Sequence, residues 1–244
     1  MNKYPLLLTA TIIPQTNYEL KLTDTKKRYF QYINNLVNLI SNSNFTEFIF
    51  CENSLEDIKD KDMLYKLCDF YGKKIEFLSF KGNEKLIQKY TRAYGDQEII
   101  EYALDNSEIL KRSKGFYKIT GRYGVKNINN IIKSWENMEN VFIKGGIGME
   151  TVHTCFFKVS KEYFKIHFYG KYKQLENYPN NSLEYLYYDK IKQSGVNMNI
   201  NNLHPIFSGE YGAGGIMDES KLMRLKTLIF SRLGVYNIKT TKNI

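Results

Sequence analysis

Over its first 145 residues the chain switches repeatedly between two hydrophobic patterns. Short β-rich runs fall at 6–13, 45–51, 74–80, 116–120 and 140–144. Between them apolar residues recur at helical spacing. Across 25–40 these are Tyr29, Ile33, Leu36, Val37 and Ile40. A second helix is predicted to start after Ser54, a residue suited to N-capping, with Asp57 three positions on. Leu55, Ile58, Leu64, Leu67 and Phe70 give it an apolar side, and Gly72 ends it. Residues 81–94 read as a polar loop or irregular helix. A third helix is predicted over 96–111, with Ile99, Ile100, Ala103 and Leu104 facing inward, and a short one over 127–135. Strands separated by helices imply a largely parallel sheet with helices on its faces.

The pattern changes after Gly145-Gly146-Ile147-Gly148. A strand is predicted over 151–159, a short helix over 160–168 and a strong helix over 183–192, preceded by Asn180-Asn181-Ser182. A glycine-rich loop follows at 204–215, then a basic amphipathic helix at 220–233. Lys221, Arg224, Lys226 and Arg232 flank the apolar stripe of that last helix. Such a helix docks on anionic lipid or packs on a core. The division at 145/146 therefore separates two halves of one compact domain.

Composition narrows the classes. At 244 residues and 43% hydrophobic, the chain can bury one sizeable core and is no disordered segment. Cys51, Cys68 and Cys155 form no ligand spacing, and an odd, sparse set suits a reducing compartment. His153, His167 and His204 are scattered, with no zinc pattern. The apolar N-terminal run is too short to span a bilayer and lacks the features of a secretory signal. These features predict a soluble or peripherally bound protein. The net charge of +9 favours anionic partners. The lysines are dispersed and no nucleic-acid module is present, so nucleic acid is not an expected partner.

Ligands of open α/β sheets bind at the carboxyl ends of the strands. There the sequence places Thr9-Ala10-Thr11, Glu52-Asn53, Phe80-Lys81 and Thr120-Gly121-Arg122. Arg122 stands just past a strand and a glycine turn, where its planar fork can clamp a phosphate or carboxylate. The alternative is a solvated surface turn. Arg92-Ala93-Tyr94-Gly95-Asp96 enters a helix whose free N–H groups suit an anion. Asp96 and Glu98 equally suit the helix dipole. Glu184 stands in the first turn of the 183–192 helix, which Ser182 is suited to cap; its carboxylate there either complements the helix dipole or serves as a general base, with Asp189 and Glu150 as the other candidates for a base. Asp60-Lys61-Asp62 reads as a solvated helix face.

The first strand, Cys51-Glu52-Asn53-Ser54 and Lys118-Ile119-Thr120-Gly121-Arg122-Tyr123 together resemble bacterial glycosyltransferases. These enzymes build capsular, O-antigen or lipooligosaccharide glycans and include galactofuranosyltransferases and related hexosyltransferases. The resemblance implies an α/β, GT-A-like fold: a Rossmann-type, mostly parallel sheet flanked by helices. Residues 1–145 would bind a nucleotide sugar, a UDP-sugar favoured, and 146–244 a glycan or lipid-linked glycan acceptor. It further implies a cytoplasmic enzyme, peripheral at the inner membrane face through 220–233. Donor contacts carried over are Thr9, Ala10, Thr11, Glu52, Asn53, Lys89, Arg92, Thr120, Gly121 and Tyr123. His204, Ser208 and Gly209 would shape the acceptor side, and Glu184 would be the base of an inverting reaction. The chain departs from the pattern where such enzymes place a metal-binding Asp-x-Asp, because Thr120-Gly121-Arg122-Tyr123 stands there. Metal-independent transfer is the expectation, with Arg122 and one of Lys85, Lys89 or Arg92 stabilising the departing diphosphate. A Mn²⁺- or Mg²⁺-dependent reaction is the alternative. Competing functions are another Rossmann-like nucleotide-dependent transferase and a non-catalytic glycan- or nucleotide-binding module.

Overall fold

The computed structural model describes residues 4–14, 22–146, 148–195, 203–209 and the isolated positions 229, 230, 233, 235 and 238. A five-stranded sheet forms its centre. In chain order, its strands are β1 (Leu6–Ala10), β2 (Glu47–Glu52), β3 (Lys74–Ser79), β4 (Gly115–Thr120) and β6 (Phe156–Ser160). Their spatial order is β3-β2-β1-β4-β6. The first four run parallel, and β6 pairs antiparallel to β4. A two-stranded antiparallel pair, β5 (Gly124–Val125) with β7 (Phe207–Ser208), lies outside it.

β1 is buried at every position, as expected of a central strand covered on both faces. Its side chains alternate between two cores. Leu6, Leu8 and Ala10 join the core containing Leu36 and Ile40 of α1 (Thr25–Asn42). Leu7 joins the other, with Ile100 and Ala103 of α3 (Glu84–Asn106). Helix α1 starts at Asp24, whose carboxylate accepts from the Lys27 N–H at 3.0 Å. The other helices are α2 (Lys61–Phe70), α4 (Glu108–Arg112), α5 (Ile128–Ser134), α6 (Lys161–His167) and α7 (Leu183–Gln193).

The predicted α/β alternation holds, with four local corrections. The second helix begins at Lys61 instead of after Ser54, because the Ser54 hydroxyl is engaged by the Glu52 carboxylate and Leu55 turns to φ +60°. The third helix begins at Glu84, inside the stretch read as loop or irregular helix, and is two segments joined at Thr91. Ser107 then ends it and caps α4, accepting from the Leu110 N–H. Residues 140–144 make only single bridges, Val141 to Lys158 and Lys144 to Val152, so the predicted 151–159 strand keeps only β6. Of the predicted 220–233 helix, only Ile229, Phe230 and Leu233 are described, and Leu233 donates to the Ile229 carbonyl at 3.0 Å. Residues 210–215 of the glycine-rich loop lie outside the described residues. No helix among the described residues is long and apolar enough to cross a membrane.

Candidate functional site

A cleft of about 440 Å³ opens at the carboxyl ends of β1 and β4, bounded by α1, α3 and the start of α7. Ligand crevices of parallel α/β sheets form at such an edge. Of the residues singled out in the sequence, Thr9, Ala10, Thr11, Asn53, Arg92, Thr120, Arg122, Tyr123 and Glu184 line it.

The turn after β4 is held from several sides. The Gly121 N–H donates to the Thr9 carbonyl at 2.9 Å, and Asn35 Nδ2 donates to the carbonyls of Gly121 and Tyr123 at 2.9 and 2.8 Å. A Cβ at Gly121 would sit 3.0 Å from the Tyr32 ring and 3.1 Å from the Thr9 carbonyl oxygen, so a side chain here would have to push its neighbours aside. Gly209, at φ +119°, passes so close to the Arg122 carbonyl that a Cβ would lie 2.9 Å from it. Arg122 is thereby fixed and only 8% exposed. Its Nη1 donates to Gln31 Oε1 at 3.3 Å, and its guanidinium lies 5.9 Å from the Tyr32 and Tyr123 ring centres. Its buried Nε has no hydrogen-bond partner among the described residues.

A second arginine adjoins it. Arg28 is 4% exposed and gives its donors to main-chain carbonyls: Nε to Thr11 and Ile12 at 3.0 and 3.1 Å, Nη1 to Leu22 at 3.2 Å, Nη2 to Thr11. Burial pushes this guanidinium below its ordinary range, Tyr32 opposes that shift, and the charge on Arg122 adds to it. Among the described residues neither arginine hydrogen-bonds or ion-pairs with a carboxylate. Among the described residues this wall of the cleft therefore presents guanidinium charge with no carboxylate partner.

The floor carries an ion pair between a buried lysine and a half-buried aspartate. Lys118, fully buried in mid-β4, donates to Asp96 Oδ2 at 2.6 Å, the Thr154 carbonyl at 2.8 Å and Thr120 Oγ1 at 3.1 Å. Asp96 Oδ1 accepts from Thr9 Oγ1 at 2.8 Å. The far wall is the segment 179–185, every residue of which lines the cleft. Asn180 and Asn181 sit at φ +53° and +50°, a left-handed conformation that Asn tolerates. Glu184 Oε1 accepts from Thr154 Oγ1 at 3.0 Å, and Oε2 from Ser182 Oγ at 2.7 Å. Ser182 thus serves the carboxylate and does not cap α7 by its side chain. Thr91 also lines the cleft, at φ +64° and ψ −163°, a region nearly restricted to glycine. The second segment of α3 starts here, so the positive end of its dipole meets the cleft.

Other singled-out residues lie elsewhere. The Glu52 carboxylate is fully buried and accepts from the N–H groups of Ile12, Ser54 and Glu56 and from the hydroxyls of Ser54 and Ser79. It is a loop anchor and does not reach the cleft. Lys89 pairs with Glu176 at 2.5 Å, and Lys85 is exposed. Asp189 accepts from Tyr178, and Glu150 lies 3.8 Å from Lys192. His204, Ser208 and Gly209 do not line the cleft. Ser208 instead pairs with Gly124 in the β5–β7 pair, and Gly209 lies against the Arg122 carbonyl. Burial and the neighbouring His153 push the His204 imidazole down to about 4. His153 does line the cleft, its pKa lowered by burial against the opposing charge of Glu184. Cys155 lines it too, but burial pushes its thiol up to about 12, so it is no nucleophile at neutral pH.

Sequence reasoning missed Arg28, Lys118 and Thr154. Lys118 had left a trace, as a lone charge inside the β-rich run Phe116-Tyr117-Lys118-Ile119. Arg28 ends an ordinary Lys26-Lys27-Arg28 cluster and left none.

No group of three or more His, Cys, Asp or Glu is placed to hold an ion among the described residues. The one carboxylate on the cleft floor, Asp96, already has the Lys118 ammonium as its counter-ion. No protein-family model and no curated protein matches the chain.

Proposed function

We propose that this protein is an inverting, GT-A-like glycosyltransferase that moves a sugar from a nucleoside-diphosphate donor to a surface-glycan acceptor. One observation carries the reading. A single cleft at the strand ends brings together two guanidinium groups that have no carboxylate partner among the described residues, Arg28 and Arg122, and a hydroxyl-bonded carboxylate, Glu184. Displacement at a sugar carbon needs these two elements: positive charge where a diphosphate departs and a base where an acceptor hydroxyl attacks. The sheet order, four parallel strands with an antiparallel fifth, is compatible with the donor half of such a fold.

In this reading the nucleoside lies over Thr9, Ala10, Thr11 and Asn53, and the diphosphate meets Arg122, with Arg92 at the second segment of α3. The acceptor lies along 179–185, displacing His204, Ser208 and Gly209 from that role. Glu184 keeps lone pairs beyond those its two hydroxyl partners use, and takes the acceptor proton. The protein's own cations stand in for a metal. A lipid-linked acceptor would bring the enzyme to the inner face of the cytoplasmic membrane.

The test is thermal shift with UDP, GDP, CMP and a panel of their sugar conjugates, in EDTA and in Mn²⁺. Ligand at a hundredfold its Kd adds about 2.7 kcal/mol of stability. At least one nucleotide should raise Tm equally in both conditions, and its sugar conjugate should turn over. If no nucleotide moves Tm, the reading fails. A shift that vanishes in EDTA and returns with Mn²⁺ overturns its metal-independent part.

A further inference from the structure

We propose that Lys118 and Asp96 form a strut beneath the cleft that holds Thr154 in place to orient Glu184. Lys118 and Thr154 are then positioning residues, whereas Glu184 alone meets the substrate. The inference rests on the reading of Glu184 as the base.

The strut begins with a lysine where a parallel strand would ordinarily carry a hydrophobe. On β4, Phe116 packs into the same core that contains Phe157 and Phe164, and Lys118, two residues on, occupies that side of the sheet. An ammonium has three donors, and here each finds one acceptor: Asp96 Oδ2, Thr120 Oγ1 and the Thr154 carbonyl. Burying the Lys118 ammonium carries a desolvation cost that its half-buried partner Asp96 does not bear in full, and a hydrophobic residue at this place would avoid it. What three directed bonds supply is a fixed place for each acceptor.

Thr154 receives that restraint on its carbonyl and passes it on through its hydroxyl, which donates to Glu184 Oε1 at 3.0 Å. The main chain repeats the link, as the Val152 N–H donates to the Glu184 carbonyl at 3.2 Å. Ser182 Oγ fixes the second carboxylate oxygen from the other side. The other end of the strut reaches β1, through Thr9 Oγ1 on Asp96. A ligand seated over Thr9 and a base on α7 thus share one hydrogen-bonded floor made from β1, α3, β4 and the segment before β6.

Thr154→Val is the decisive variant, because it keeps the shape and removes only the hydroxyl. Lys118→Met leaves Asp96 with a single hydroxyl partner in the floor and can fail to fold. Two readouts are taken on the full chain: UDP-sugar turnover by UDP release beside UDP affinity by calorimetry, and the Glu184 rotamer in crystals. Small misplacements of reacting groups cost up to about 100-fold in rate. Thr154→Val should lower kcat on the order of 10- to 100-fold, leave UDP affinity within twofold, and scatter the Glu184 side chain. Thr154→Ser should restore most of the rate and the single rotamer. A Thr154→Val enzyme with unchanged kcat and an unmoved Glu184 overturns the strut. If wild-type protein binds none of UDP, GDP, CMP or their sugar conjugates, the transferase reading falls instead, and the crystallographic comparison still decides whether Thr154 places Glu184.

Discussion

Arg28 and Arg122 line one cleft, and the charge on Arg122 makes that on Arg28 harder to hold. Their roles differ. Arg28 gives its donors to the main chain of Thr11, Ile12 and Leu22 and so shapes the loop after β1. Among the described residues Arg122 has one side-chain acceptor, Gln31, and its Nε has none.

Arg122→Met should therefore separate binding from folding. It keeps the apolar stem that packs on Tyr32 and Tyr123 and removes the charge that opposes Arg28. The free variant should melt no lower than wild type. Its affinity for UDP should fall roughly 10- to 100-fold, the loss of a charged hydrogen bond of about 1.5–3 kcal/mol. Arg122→Lys should recover only part of this, since a point charge lacks the fork geometry. Calorimetry and thermal melts decide the matter: unchanged UDP affinity in Arg122→Met removes Arg122 from the site.

Glu184→Gln is nearly isosteric, and the Thr154 and Ser182 hydroxyls can turn to suit an amide. Fold and UDP binding should survive, while UDP release from the sugar donor should drop at least about 100-fold, within the span that general-base catalysis contributes. Turnover within threefold of wild type would move the base elsewhere in the cleft.

Glu52 gives the opposite profile. Its carboxylate serves three main-chain N–H groups and two hydroxyls beneath the loops after β1 and β2. Glu52→Ala strands those buried donors, each at about 1–3 kcal/mol. Urea unfolding should show a loss of at least about 2 kcal/mol, with UDP affinity of the folded protein changed less than threefold. A selective loss of UDP binding with stability intact would return Glu52 to the ribose.

The contrast between Glu52 and Lys118 marks what the sequence could disclose. Strand and helix alternation was legible because burial on both sheet faces forces continuous apolar runs such as Leu6-Leu7-Leu8. The strand ends therefore fell at one rim, and Arg122, Thr9 and Thr120 with them. A side chain's aim was not legible. Glu52 ends its strand as a ligand-binding carboxylate would, but it turns under the loop because free N–H groups of Ile12, Ser54 and Glu56 need an acceptor there. Lys118 was a lone charge inside an apolar strand, and it gives its donors to Asp96, Thr120 and the Thr154 carbonyl. Thr91 lies in the backbone conformation least expected of a β-branched residue, so the kink that opens α3 onto the cleft had no local signature.

A second buried lysine yields a pH prediction. Lys158 on β6 is 4% exposed, and its Nζ donates to the Trp135 and Glu136 carbonyls at 2.6 and 3.3 Å. The rings of Tyr4 and Tyr117 lie 4.9 and 5.4 Å away. Burial pushes its pKa from 10.5 down to about 8, against the opposing charges of Glu136 and Glu139. Below pH 8 both folded and unfolded chains hold the proton, and the folded state bears the full cost of a buried charge. Between about 8 and 10.5 the unfolded chain still holds that proton while the folded chain has released it. The unfolded state then binds more protons, so stability rises with pH across this window. Lys158→Met removes the titration and leaves every other group in place. Going from pH 7 to pH 9.5, wild type should gain about 2 kcal/mol relative to Lys158→Met in urea unfolding. Parallel pH profiles for the two proteins would mean that the Trp135 and Glu136 carbonyls and the flanking rings already offset the burial of the charge.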